Sequence, residues 1–226
     1  MAKLVYTEKA SDGHNIHYIA GNVSFVNAGK GEYEGKVMNI GMTLETFNPI
    51  TREREKKLLT VSFWNSNENK LADRIRNAKV QAGAFLLVKC GELRDAGINE
   101  DGVQKLNAYG FRFQYNEALR LSEKNTLICG PIRRINEVAN GITAFIPVKA
   151  RSGDNVWYSV NFFNREVNGK VYKIGERAAK YGLANGTNVC AICGPVEVVE
   201  REDKTFHNLH VYDFCVGYCA EPKEGV

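Results

Sequence analysis

No apolar run in this sequence approaches the roughly 18 residues of a membrane-spanning helix, and the opening Met1-Ala-Lys-Leu-Val-Tyr-Thr-Glu-Lys9 lacks the long apolar stretch of a secretory signal. A cytoplasmic protein with no membrane partner is expected. Catalytic signatures are missing as well. His14, His17, His207 and His210 have no nucleophile motif nearby, there is no phosphate-cradling glycine loop of the Walker type, and no carboxylate pair stands out. The expectation is a non-enzymatic protein without a cofactor. No disulfide scaffold is expected either, because six cysteines among 226 residues, with no signal segment, read as free thiols in a reducing compartment. Cys190-Ala-Ile-Cys193 and Cys215-Val-Gly-Tyr-Cys219 invite a zinc test. Residues three apart on a strand face opposite sides, however, so Cys190 and Cys193 do not reach one metal without a turn, and no metal is expected. A large excess of charge is also absent. A net +4 permits a polyanionic partner without requiring one, because charge placement matters more than the sum.

What is present is a composition of the soluble globular class, 44% hydrophobic and 25% charged, in a chain long enough for two domains with cores of their own. One stretch organises the reading. In Leu58-Leu-Thr-Val-Ser-Phe-Trp-Asn65, Leu59, Val61 and Phe63 share one face of a strand, and Leu58, Thr60, Ser62 and Trp64 share the other. The first is a core face. The second is half polar and ends in a tryptophan, a candidate platform for stacking something planar. The pattern returns residue for residue in Trp157-Tyr-Ser-Val-Asn-Phe-Phe-Asn164, with Tyr158, Val160 and Phe162 inward and Trp157, Ser159, Asn161 and Phe163 outward.

With this repeat as guide, residues 1–17 read as a loose N-terminal arm, rich in turn formers at Ser11-Asp-Gly-His-Asn15. Strands follow over 18–27 and 36–47, the latter with Met38, Ile40, Met42 and Leu44 on one side. A basic, exposed connection at 48–57 leads into the third strand. A helix over Leu71, Ile75, Ala78 and Ala82 starts at a cap on Asn67 or Asn69 and closes at Gly83. Strands at 84–94 and 103–115 complete the set. The second half repeats the order: strands at 126–138, 141–151 and 156–163, a helix at 171–184 ending in Asn185-Gly186, and strands at 187–200 and 205–217. Cys90-Gly91 corresponds to Cys193-Gly194. The expected domains are 18–121 and 122–219, closely docked, with a short tail at 220–226.

Three strands, a helix and two strands is the order of the OB fold, a five-stranded Greek-key barrel that binds oligonucleotides or oligosaccharides on an open sheet face. The expected fold class is therefore all-β, two tandem OB barrels, each with one helix between strands three and four. The residues carry a family likeness as well. Val61-Ser-Phe-Trp-Asn65 running into Lys70-Leu-Ala-Asp73, then Gly83, then Val88-Lys-Cys-Gly-Glu-Leu93, resembles the third strand, helix and fourth strand of bacterial single-stranded DNA-binding proteins. Ile192-Cys-Gly-Pro-Val196 stands in the same place in the second half. Gly21-Asn-Val23 and Gly130-Pro-Ile132 are similar to that family's first-strand element.

The resemblance implies binding of single-stranded DNA in replication or recombination, with third-strand aromatics stacking on bases. By position these are Trp64 and Phe163, with Trp157 as a further ring where the first copy has Leu58. The chain departs from the family in ending Cys219-Ala-Glu-Pro-Lys-Glu-Gly-Val226 rather than in an acidic tail. That resembles a phage or mobile-element form, located in the host cytoplasm if phage-encoded. Phe47, Phe145, Tyr109 and His210 are further stacking candidates, although the strand-five series Tyr109, Phe111, Phe113, Tyr115 also reads as core unless a bulge swaps the faces. For phosphates the candidates are Arg52, Arg54, Lys56 and Lys57 on the connection before strand three, and Arg133, Arg134, Lys149 and Arg151 in the second copy; only one of Arg133 and Arg134 can face a groove. The competing reading makes the rings packing residues and the charges a solvated loop interleaved with Glu53 and Glu55. A protein-interaction module and a binder of single-stranded RNA or tRNA stay open beside the DNA reading, as does a homodimer.

Overall fold

The computed structural model describes residues 1–48, 51–150, 152–201 and 204–217. The chain divides into two compact units, one ending at Gln114 and the other starting at Tyr115, slightly before the boundary expected near 121.

The first unit holds strands β1 (Ala2–Lys9), β2 (Asn15–Ala28), β3 (Val37–Asn48) and β4 (Glu53–Trp64), helix α1 (Leu71–Asn77), and strands β5 (Phe85–Cys90), β6 (Arg94–Ile98) and β7 (Gln104–Gln114). β2 pairs antiparallel with β3, β3 with β4, β7 with β5 and β5 with β2, while β4 and β7 pair in parallel. The ring β2–β3–β4–β7–β5 is closed, with the helix between its third and fourth strands. That is an OB barrel. Inward residues of all five strands fill it, among them Ile19, Ile40, Leu59, Val61, Val88 and Leu106, and Leu71, Ala72 and Ile75 of α1 join the same core. Phe63 and Phe113 meet edge to face at 5.8 Å.

The second unit has β8 (Glu117–Arg120), β9 (Thr126–Pro131), β10 (Arg134–Val138), β11 (Gly141–Lys149), β12 (Asn155–Phe163), β13 (Arg165–Val167), β14 (Lys170–Tyr172), α2 (Ile174–Lys180), β15 (Asn188–Cys193), β16 (Glu197–Arg201) and β17 (Lys204–Gly217). Its first barrel strand is broken into β9 and β10, and the ring closes through β11, β12, a parallel β12–β17 pair, and β15 back to β9. Phe162 and Phe214 repeat the edge-to-face pair at 5.0 Å. The all-β expectation of two OB barrels holds.

Several expectations are corrected. About half of the segment read as a loose arm is β1, paired antiparallel with β2 and, at Ala2 and Lys3, in parallel with β3, and its last residues open β2. Gly21 explains how: a Cβ there would stand 2.2 Å from the Ala2 Cα, so only glycine lets β1 cross β2. At Gly130 the close neighbour is a side chain, since a Cβ there would meet Asn116 Oδ1 at 2.8 Å. The charged connection at 48–57 is mostly strand, since Arg54, Lys56 and Lys57 pair with Phe47, Glu45 and Leu44 of β3. Both helices are shorter than expected, and residues 170–172 form β14 instead of the start of α2.

Neither Asn67 nor Asn69 caps α1. The Asp73 N–H donates to Asn65 Oδ1 at 3.2 Å, and in the second unit Gly175 and Glu176 N–H donate to Asn164 Oδ1 at 2.9 and 3.2 Å. The asparagine closing each third strand thus satisfies the orphan donors of the following helix. Gly83 and Gly186, both at φ +88°, do not end helices but turn the chain into strand four, where their N–H groups bond Val23 and Ile132 carbonyls.

The bulge invisible in sequence is present. Lys89 pairs with Arg112 and Cys90 with Gly110, leaving Phe111 as the extra residue, and Tyr212 is extra in the second unit. Phe113 therefore turns into the core while Tyr109, Phe111 and Tyr115 stay exposed. Gly91 and Gly194 are the seats for these bulges, since a Cβ would come 3.2 Å from the Phe111 ring and 2.7 Å from the Tyr212 hydroxyl.

β1 also carries a pH dependence. His17 is buried under it, with Nδ1 3.0 Å from Thr7 Oγ1. Burial holds its pKa below the ordinary 6.5, outweighing the attraction of Glu92. The unfolded chain then binds more protons than the folded one as pH falls through 6.5, so stability is lost from there down to the depressed folded value. On moving from about pH 7.5 to about pH 5.5, the urea midpoint followed by Trp64 emission in a Trp157→Phe background should fall further with His17 in place than with His17→Gln. Equal falls would contradict this role for His17.

Candidate nucleic-acid interface

The alternation of β4 directs Leu59, Val61 and Phe63 into the core, each at most 1% exposed, and leaves Trp64 at 37% on the other face. That outer face continues onto β7, where Lys105, Asn107 and Tyr109 stand beside Leu58, Thr60 and Ser62. On β3 its members are Asn39, Gly41, Thr43, Glu45 and Phe47, and Ser62 Oγ donates to Asn39 Oδ1 at 2.7 Å. Tyr109 is exposed beneath the Arg94 guanidinium, whose carbon lies 5.5 Å from the ring centre. Phe47 is 63% exposed at the far end of β3.

The second unit presents the equivalent face. Trp157, 49% exposed, stands opposite Pro147, and Phe163, half-buried, lies 6.2 Å from the His210 ring. Thr143 Oγ1 donates to Asn161 Oδ1 at 2.9 Å, in the place of the Asn39–Ser62 pair. Phe145 carries the Arg134 guanidinium 5.6 Å from its centre. Glu197 stands 3.7 Å from His210 Nε2, a charged pair only when the imidazole is protonated.

The outer face holds two rings that sequence reasoning missed. Phe25 of β2 lies over Gly41, where an added Cβ would come 2.0 Å from the ring. By register Gly41 corresponds to Phe145. Both units thus keep an aromatic at this place, drawn from strand one in the first and strand two in the second. A strand-interior glycine signals such a close approach, so Gly41 was the available clue. Tyr33, in the turn between β2 and β3, meets Trp64 edge on, with ring centres 5.5 Å apart at 88°. Phe111 is set by its bulge.

The expected cations divide. Arg54 and Lys56 share the parity of Trp64, but Arg54 is bonded to Glu45, which tempers its charge. Lys57 takes the opposite parity and sits 3.9 Å from Glu55, so it does not join the face. Arg52 lies at the hairpin tip with φ 57°, a left-handed conformation uncommon outside glycine. Arg134 stands over Phe145, whereas Arg133 falls in the break between β9 and β10; Lys149 is exposed at the end of β11. Arg151 lies outside the described residues. Lys30, Arg94 and Lys105 were not foreseen.

Among the described residues the thiols are buried. Burial pushes Cys90 up to about 12, so it is protonated at neutral pH. Cys193 faces the barrel core while Cys190, which pairs with Cys129 and Cys215 on the adjacent strands, faces the other way. Among the described residues no group of three or more His, Cys, Asp and Glu side chains could hold a metal ion. Among them, too, no helix is long and apolar enough to cross a membrane.

No protein-family model matches the sequence. No curated protein matches it either. The chain is similar to a solved structure of a deletion mutant of the single-stranded DNA binding protein from Thermus aquaticus, with 10% identity and a TM-score of 0.29 over 99% of this chain and 95% of that one. The barrels are defined by their strand pairings, not by this likeness.

Proposed function

We propose that the chain binds single-stranded DNA without sequence preference, on the outer faces of strands two, three and five of both barrels, and protects strands exposed in replication or recombination. The observation that carries this reading is the pair of solvent-exposed tryptophans, Trp64 and Trp157, on the polar parity of equivalent third strands, each with a second ring on the same face. Stacking on a ring is worth about 1–3 kcal/mol per base and needs no particular base, since every base has a π-face. Arg94 over Tyr109 and Arg134 over Phe145 put cations beside the rings, where phosphates of a stacked strand would pass. Asn39, Ser62, Thr143 and Asn161 line the space between with donors and acceptors but no charge.

Neither a metal nor a catalytic group enters this reading. The exposure of both tryptophans weighs against a protein-interaction module with buried rings. Titration with oligo-dT should quench tryptophan emission, and contact with about four phosphates would make log K fall against log salt with a slope of roughly −3. Absence of quenching and of a gel shift at low salt would overturn the proposal. A matched RNA oligomer as competitor tests whether DNA is preferred, and sedimentation with and without oligonucleotide reads out a homodimer.

A further inference from the structure

The two faces differ most at the connection between the first two barrel strands. In the second unit β10 and β11 are joined by Ala139 and Asn140 alone, while in the first unit residues 29–36 form a compact turn that returns onto the end of β4. This turn is built to hold its shape. Tyr33, Glu34 and Lys36 N–H bond the carbonyls of Lys30, Gly31 and Tyr33, and Gly29 is required where a Cβ would stand 2.4 Å from the Tyr33 carbonyl oxygen. Asn65 fastens the turn to the third strand, through its backbone N–H to Lys36 O at 2.8 Å and its Nδ2 to Gly35 O at 3.1 Å.

The result is a groove walled by Tyr33 and Trp64, with Asn39 and Ser62 inside it and Lys30 at its rim. Tyr33 and Trp64 meet perpendicular rather than stacked, with ring centres 5.5 Å apart, and Trp64 keeps 37% of its surface exposed. Asn39 uses its Oδ1 to accept from Ser62, so its amide N–H groups remain available to the groove. A stacking ring, an amide donor and a cation within one groove match the three parts of a nucleotide: base face, base edge and phosphate.

Resting on the reading of a single-strand binder, we propose that this turn makes a one-base clamp. Tyr33 closes over a base stacked on Trp64, the Asn39 amide meets the base edge, and Lys30 takes the neighbouring phosphate. The second unit has no such clamp, so the two barrels hold a strand differently. The first fixes one nucleotide in a walled groove, and the second lays its bases on an open face.

The test uses the full chain carrying Trp157→Phe, so that Trp64 alone reports, titrated with oligo-dT. Tyr33→Ala should weaken binding by about fivefold or more and reduce the quenching of Trp64, whereas Tyr33→Phe, which keeps the ring, should behave as the parent. Lys30→Gln should lower the salt slope by about 0.7, the share of one phosphate on a single strand. Tyr33 is exposed, and circular dichroism together with the urea midpoint verifies that each variant is folded. If the parent binds and quenches but Tyr33→Ala and Lys30→Gln match it in affinity and slope, the clamp is overturned while single-strand binding stands. If the parent itself does not bind oligo-dT, both fall.

Discussion

Replacing Trp157 and Phe163 together with alanine is expected to weaken oligo-dT binding by about a hundredfold or more, the combined effect of two stacked bases at about 1–3 kcal/mol each. Both rings project from the outer parity of β12, and Trp157 is half exposed, so little core packing is lost with them. The folded state should survive, with an unfolding midpoint close to the parent's. The first unit has Leu58 in the place of Trp157, so its third strand offers Trp64 alone. Trp64→Ala should therefore cost the chain only about tenfold. Loss of stability in step with loss of binding would show instead that these rings are packing residues. Equal losses from the two units would contradict the inequality of their faces.

Phe162→Ala should lower the stability of the second unit by about 3–5 kcal/mol, the range for emptying a buried aromatic site. Phe162 is fully buried, and its ring meets Phe214 edge to face at the centre of a barrel with a core cluster of its own. The tryptophans separate the responses: with Trp64→Phe the emission follows the second unit, and with Trp157→Phe the first. The transition reported by Trp157 should move by far more than that reported by Trp64. A change under about 1 kcal/mol at Trp157 would contradict a closed core around Phe162, since such cores cannot collapse around a missing ring.

Much of the fold was legible because period-two alternation is set by burial alone. Ile40, Met42 and Leu44, or Leu59, Val61 and Phe63, announce a buried face whatever lies across from them. Duplication then fixed the order of elements. What stayed hidden depends on partners distant in sequence. β1 reads as polar because its Glu8 and Thr7 find their partners on other strands, in Tyr18, Lys89 and His17. The long β3–β4 hairpin was masked by charges that pair across it, such as Glu45 with Arg54. The Phe111 and Tyr212 bulges shift parity with no local mark except Gly91 and Gly194, the glycines that seat them.

The site was legible in part for the same reason. Trp64, Trp157 and Phe163 follow from strand parity. Phe25 and Tyr33 reach the face from the strand and turn before it, and only Gly41 and Gly29 betray that something lies close. Charge was the least legible property. Of the cluster from Arg52 to Lys57, Arg54 is bonded to Glu45 and Lys57 turns to the opposite parity, while Arg94 and Arg134 come to rest over rings of the face.

The central claim is that both barrels use exposed third-strand aromatics to stack on a single strand. Its most direct test is an oligo-dT titration of the two single-tryptophan chains, Trp157→Phe and Trp64→Phe, at low and high salt. Saturable quenching of each tryptophan, at affinities that fall together as salt rises, is the expected result. A gel shift in which neither tryptophan is quenched would place the strand elsewhere on the molecule and contradict the claim.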